Sequence, residues 1–134
     1  MQGAPPSLGL RHVALAIEDL AAAERFFVEL LGYAVEWRPD SENVYLARHG
    51  DSVALHRAAE RRPPGMLDHV GILVPQPHDV DAWAGWLATR VAKVLAPPRT
   101  HRDGARSLYV EGPEGLVVQI LHHPPALVAT SPHG

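Results

Sequence analysis

Arg11-His12-Val13-Ala14-Leu15-Ala16-Ile17 and Asp68-His69-Val70-Gly71-Ile72-Leu73-Val74 are two segments of one character, and the fold is decided by how they are read. In each, a His opens a stretch in which branched residues recur at every second position, the period of a strand with one face on a core. Val13, Leu15 and Ile17, like Val70, Ile72 and Val74, are expected to face helices. His12, Ala14 and Ala16 then share the opposite face, as do His69, Gly71 and Leu73.

Working outward from the first segment, Asp19 reads as the N-cap of a helix carrying Leu20, Ala23, Phe27, Leu30 and Leu31 at helical spacing, with Gly32 as its stop. Strand candidates follow at 34–38, 44–47 and 53–56, separated by the turn signals Pro39-Asp40-Ser41 and His49-Gly50-Asp51. After the linker Arg61-Arg62-Pro63-Pro64-Gly65, the second segment restarts the same order. A helix capped by Asp79 presents Val80, Trp83, Ala84 and Leu87, and strands are expected at 91–95, 106–110 and 116–121. The turns Arg102-Asp103-Gly104 and Gly112-Pro113-Glu114-Gly115 separate them.

The sequence therefore reads as a duplication of a βαβββ unit, over 10–60 and 66–122. Val53-Ala54-Leu55 matches Val118-Gln119-Ile120 in character, with an offset of one. A lone unit with one apolar sheet face buries too little to be stable, so both halves are expected in a single α+β domain, 10–122, with the first strands together. The segments 1–9 and 123–134, rich in Pro and small residues, are expected to be flexible termini without chemistry.

Composition narrows the function classes. At 134 residues and 46% hydrophobic, the chain has the size of one globular domain. A net charge of −3 offers no basic footprint for a phosphate backbone, so nucleic acid is not an expected partner. No apolar run approaches the roughly 20 residues of a membrane helix, and the first nine residues lack a leader-like pattern, so a cytoplasmic protein with no membrane partner is expected. With no cysteine and nine histidines, a metal would be held by His, carboxylate or amide groups.

On the last strand of each half, alternation turns Ala54 and His56, and in the second half Gln119, to the same face as the two histidines. Two imidazoles and one oxygen donor would hold a divalent cation and leave positions open for substrate. The alternative is that His12 and His69 are strand histidines bonded to their surroundings. Tyr45 and Tyr109 occupy equivalent third strands and are candidate substrate contacts, or packing. Arg106, with Arg102 beside it, is a candidate for an anionic substrate group, or a solvated charge.

His12, His69 and a polar residue at 119, with Leu30-Leu31-Gly32-Tyr33 and Gly112-Pro113-Glu114-Gly115, resemble the vicinal-oxygen-chelate superfamily of glyoxalases, bleomycin-resistance proteins and extradiol dioxygenases, over roughly 10–122. The resemblance implies an eight-stranded cupped mixed sheet with flanking helices, and a homodimer. It also implies a metal on inward residues of the first and last strands, which are His12, Ala54, His69 and Gln119 here. The resembling enzymes with a His, His, Glu triad have a carboxylate where this chain has Gln119, and an amide binds a hard cation more weakly. Ala54 removes a fourth ligand. His56, about 7 Å along the strand from Ala54, is a candidate catalytic acid or base, or a rim residue.

The implied function is a divalent-metal-dependent lyase, dioxygenase or transferase acting on a small oxygen-containing substrate, with manganese, iron, zinc or nickel as the cofactor. The alternative is a metal-free small-molecule or antibiotic binder of the bleomycin-resistance type, which Gln119 and Ala54 favour.

Overall fold

The computed structural model describes residues 3–4, 6–63 and 65–124. Most of the expected C-terminal tail thus lies outside the described residues. The chain divides into two compact units, Met1–Arg62 and Pro63–Gly134. The first holds β1 (His12–Ile17), α1 (Leu20–Arg25), β2 (Ala34–Asp40), β3 (Asn43–Ala47) and β4 (Ser52–Arg57). The second holds β5 (Val70–Leu73), α2 (Pro77–Ala88), β6 (Val94–Thr100), β7 (Arg106–Glu111) and β8 (Val117–His122). Both are βαβββ, as the repeat implies.

The eight strands form two hydrogen-bonded sheets of four, ordered β1-β4-β3-β2 and β5-β8-β7-β6. In each, the first strand pairs in parallel with the last, and the remaining pairs are antiparallel. Ala14 pairs with Ala54 as Gly71 pairs with Gln119, so the units correspond residue for residue and the expected offset is absent. Tyr45 opposite Ala54 and Tyr109 opposite Gln119 extend the correspondence to the third strands.

Each core forms where alternation places it. Leu15, Ile17, Val44, Leu46, Val53 and Leu55 are buried in the first unit, and Leu108, Val110, Val118 and Ile120 in the second. Burying such a side chain contributes about 1.5–3 kcal/mol. α2 packs on β6, β7 and β8 through Val80 and Leu87.

Three boundaries differ from the sequence reading. β2 runs through Pro39, and β6 lies at Val94–Thr100 through Pro97 and Pro98 instead of at 91–95. Both are edge strands, where a residue without an N–H costs no ladder bond on the open side. Asp79 is not the N-cap of α2 but its third helical residue. Its carboxylate accepts from the Gln76 N–H at 2.9 Å, the returning half of a capping box. The first helix begins as expected, with the Asp19 carboxylate accepting from Ala22 N–H at 3.0 Å, but closes in a π-helical turn, Phe26–Leu30.

Gly32 ends that turn at φ +83°, and a Cβ there would lie 1.8 Å from Arg48 Nη1, which donates to the Leu31 carbonyl at 2.7 Å. Gly32→Ala is expected to cost at least about 1–2 kcal/mol in urea unfolding, the penalty of a left-handed conformation with a Cβ, before the displaced Arg48 is counted. Nearby, the buried Tyr33 ring meets Phe27 edge-on at 5.5 Å and its hydroxyl donates to Asp51. Burial, and then the Asp51 carboxylate, push the phenol well above its ordinary value. A raised folded value stabilises fully below the unfolded pKa of about 10, and that contribution is lost as pH climbs above it. Urea midpoints of the native chain should therefore fall from pH 9 to 11 more steeply than those of Tyr33→Phe.

Candidate functional site

Strand parity sets two candidate faces, one in each unit. In the second unit, Gly71 and Gln119 are register partners, and His69 precedes Gly71 by two residues on the same side. Tyr109 touches both candidate ligands. Its ring meets His69 edge-on at 5.5 Å, and its hydroxyl accepts from Gln119 Nε2 at 3.0 Å. That bond commits the amide nitrogen and leaves Gln119 Oε1 as the outward donor atom. Gly71 keeps space beside it, since a Cβ there would come 3.7 Å from Oε1 and 3.1 Å from Leu121.

His69 Nδ1 lies 2.6 Å from the Asp68 carboxylate. A carboxylate only accepts, so Nδ1 carries a proton, and in the neutral ring the Nε2 lone pair is the one left to a ligand. Histidines that ligate metals are usually held in this way, the second nitrogen donating to a carboxylate or carbonyl. The donor chemistry of His69 and Gln119 therefore fits a divalent cation.

In the first unit, His12 Nδ1 lies 2.9 Å from Ser52 Oγ, its register partner, again leaving Nε2 available. His56 is more firmly fixed. Asn43 Nδ2 donates to the Asp40 carboxylate at 2.9 Å, so Asn43 Oδ1 is an acceptor and His56 Nδ1, 2.6 Å away, must donate to it. Asp40 also accepts from Glu42 N–H at 2.8 Å, which anchors it in the hairpin turn. The relay from Asp40 through Asn43 fixes the Nδ1–H tautomer of the neutral His56 ring, in which Nε2 is the nitrogen that can accept a proton. Tyr45 packs edge-on against His56 at 5.8 Å and stacks on Trp37 at 5.2 Å.

Arg106 has the opposite parity to Tyr109. Its guanidinium forms a bidentate pair with Asp81 of α2 at 2.7 and 3.0 Å and donates to Thr100 at 3.0 Å. The Asp81 carboxyl is held below its ordinary range by the hydrogen bonds from Arg106. Arg99, which the sequence reading passed over, instead reaches His101 Nδ1 at 3.2 Å. His101 Nε2 lies 2.7 Å from the buried Ser107 Oγ, on the Tyr109 side of β7.

The structure thus brings His69, Tyr109 and Gln119 together in the second unit, and Tyr45 with His56 in the first. Arg106 is drawn away to α2. Sequence reasoning missed Asp68, Asn43 and Trp37. Among the described residues there is no cluster of three or more His, Asp or Glu with metal-binding arrangement, a set in which an amide such as Gln119 does not count.

Residues 9–120 match the Glyoxalase/Bleomycin resistance protein/Dioxygenase superfamily, and the chain belongs to it. A curated relative, 2,2',3-trihydroxybiphenyl dioxygenase of Sphingomonas paucimobilis, is 27% identical over 119 residues, 84% of this chain. The chain spans only 40% of that relative's length. Among solved structures, lactoylglutathione lyase from Agrobacterium tumefaciens has a TM-score of 0.73 at 18% identity, covering 88% of this chain and 96% of that one. A glyoxalase/bleomycin resistance protein/dioxygenase from Nocardioides gives 0.73 at 21% identity, covering 91% and 86%. These likenesses establish the fold.

Asn43→Ala removes the acceptor that fixes His56. Nitrogen-15 NMR of the imidazoles should show His56 as one tautomer in the native chain and as a mixture in the variant, with the His69 signals unchanged.

Proposed function

We propose that the protein is a divalent-metal-dependent enzyme acting on a small molecule that presents two neighbouring oxygens. The observation that carries this reading is the oriented donor set, with His69 held by Asp68 and Gln119 held by Tyr109. His12, His69 and Gln119 are the proposed ligands. A bound cation would supply Lewis-acid stabilisation of an oxyanion developing on the substrate. His56, held by Asn43, accepts or returns a substrate proton at Nε2, and Tyr45 and Tyr109 are the proposed substrate contacts of their respective units. The match to a dioxygenase supports an enzyme, with lyase and transferase chemistry as the other options the superfamily offers. We further propose a cytoplasmic location, and a homodimer as the resemblance implies. Among the described residues no helix is long and apolar enough to cross a membrane.

A metal-free binding role is favoured by one observation, the amide at 119 in place of a charged ligand. Equilibrium dialysis against Mn²⁺ and Zn²⁺ separates the two readings. The native chain should bind one equivalent, His69→Ala should lose it, and Gln119→Glu should bind at least about tenfold more tightly because a carboxylate adds formal charge. If the native chain retains no more metal than His12→Ala and His69→Ala, the metal-dependent reading is wrong.

A further inference from the structure

The two sheets end in edge strands of opposite character, β6 and β2. β6 carries Pro97 and Pro98 in mid-strand with Arg99 after them, and prolines and charges are the usual guards against a further strand adding to an open edge. β2 lacks that protection. Its first five residues, Ala34-Val35-Glu36-Trp37-Arg38, hold no proline, and all seven positions of the strand are exposed. Both edges shift register against their neighbours at matching places, so the difference lies in the side chains. Where β6 sets Ala96 opposite Tyr109, β2 sets Trp37 opposite Tyr45, and Trp37 is 59% exposed beside Val35 at 41%. The indole stacks on Tyr45 with one plane, at 23° and 5.2 Å between centroids. Its other plane lies away from Tyr45, and no second ring among the described residues covers it.

We infer that the open side of β2 is where two copies of the chain pair, strand against antiparallel strand, about a two-fold axis at Trp37. The charges select both the occupant and the register. With Trp37 opposite the partner's Trp37, Glu36 meets the partner's Arg38 and Arg38 meets the partner's Glu36, and opposite charges across a ladder are favourable. A slip of two residues sets Glu36 against the partner's Glu36 or Arg38 against the partner's Arg38, which is repulsive. A slip of one leaves every charge opposite an uncharged residue. Glu36 is free for this pairing, since it makes no hydrogen bond or ion pair with any described residue. Arg38 can serve both sides, because Glu24 of α1 takes Nη1 and Nη2 at 2.8 Å each and leaves Nε at the edge. At the centre, the uncovered planes of the two indoles extend the Tyr45 stack across both copies, and aromatic pairs are favourable beyond the area they bury. The inference rests on the proposed homodimer and names its surface. Seven residues a side fall below the about 20–30 of a standard interface, so the dimer is expected to dissociate on dilution.

Sedimentation equilibrium of the full chain over a concentration series tests this. The native chain should be a dimer that dissociates on dilution. Trp37→Lys, at an exposed position where the fold should tolerate it, should be monomeric throughout while its circular dichroism and cooperative melting remain those of a folded chain. Glu36→Lys and Arg38→Glu should each weaken self-association at least about tenfold, since each sets like charges opposite one another at two places. Mixed in equal amounts, these two variants should associate about as tightly as the native chain, because each supplies the charge that the other lacks. That rescue cannot come from the Glu24 pair, which Arg38→Glu gives up in the mixture as it does alone. A mixture no tighter than either variant, or a dimer that none of the three substitutions weakens, would overturn the inference and leave the homodimer standing on another face. A native chain that is monomeric at every concentration would remove both.

Discussion

Closure of each unit by parallel pairing of its first strand with its last is the constraint on which the remaining structure depends. Side chains alternate with period two, so fixing Ala14 beside Ala54 and Gly71 beside Gln119 fixes the face of every other residue on those strands. A slip of one residue would bury the histidines among the helix-facing core and turn Val53, Leu55, Val118 and Ile120 outward. The apolar side chains that hold each sheet against its helix therefore also aim the polar ones, and stability and site geometry have one origin.

Pairing alone does not orient an imidazole or an amide. Short hydrogen-bonded chains do so here, and two of them begin with a carboxylate, which can only accept. Asp68 can only accept, which settles His69. Asp40 accepts from Asn43, which settles the amide and through it His56. Tyr109 takes the Gln119 nitrogen and leaves the oxygen outward. With matching backbones, the two halves differ in what these chains present: oriented donor atoms in the second unit, and an aromatic face beside a basic nitrogen in the first. The two frames are equivalent in register, and differences such as Gln119 against Ala54 make them chemically unequal.

The duplication, the element order and the side of the sheet taken by His12, His69, His56 and Gln119 were legible in the sequence because they follow from local alternation and spacing. Partners in distant elements were not. Arg106, with Arg102, looked available for an anion, but α2 brings Asp81 to it from 25 residues away. Asn43 lay just before the expected start of its strand, and nothing local links it to His56 across the hairpin. The strand expected at 91–95 stopped short of Pro97-Pro98, and the edge position that admits proline into β6 is a property of the sheet that the segment itself does not carry. Trp37 was noticed only as strand material, since its stacking partner is set by cross-strand register.

As proposed ligands of one divalent cation, His12 and His69 can be counted spectroscopically. Pulsed electron paramagnetic resonance of the chain loaded with Cu²⁺ as a spectroscopic substitute counts the coordinated imidazoles directly. Nitrogen couplings from two histidines are expected, falling to one in either His12→Ala or His69→Ala. A spectrum with no imidazole coupling, or one that neither substitution alters, would contradict the proposal.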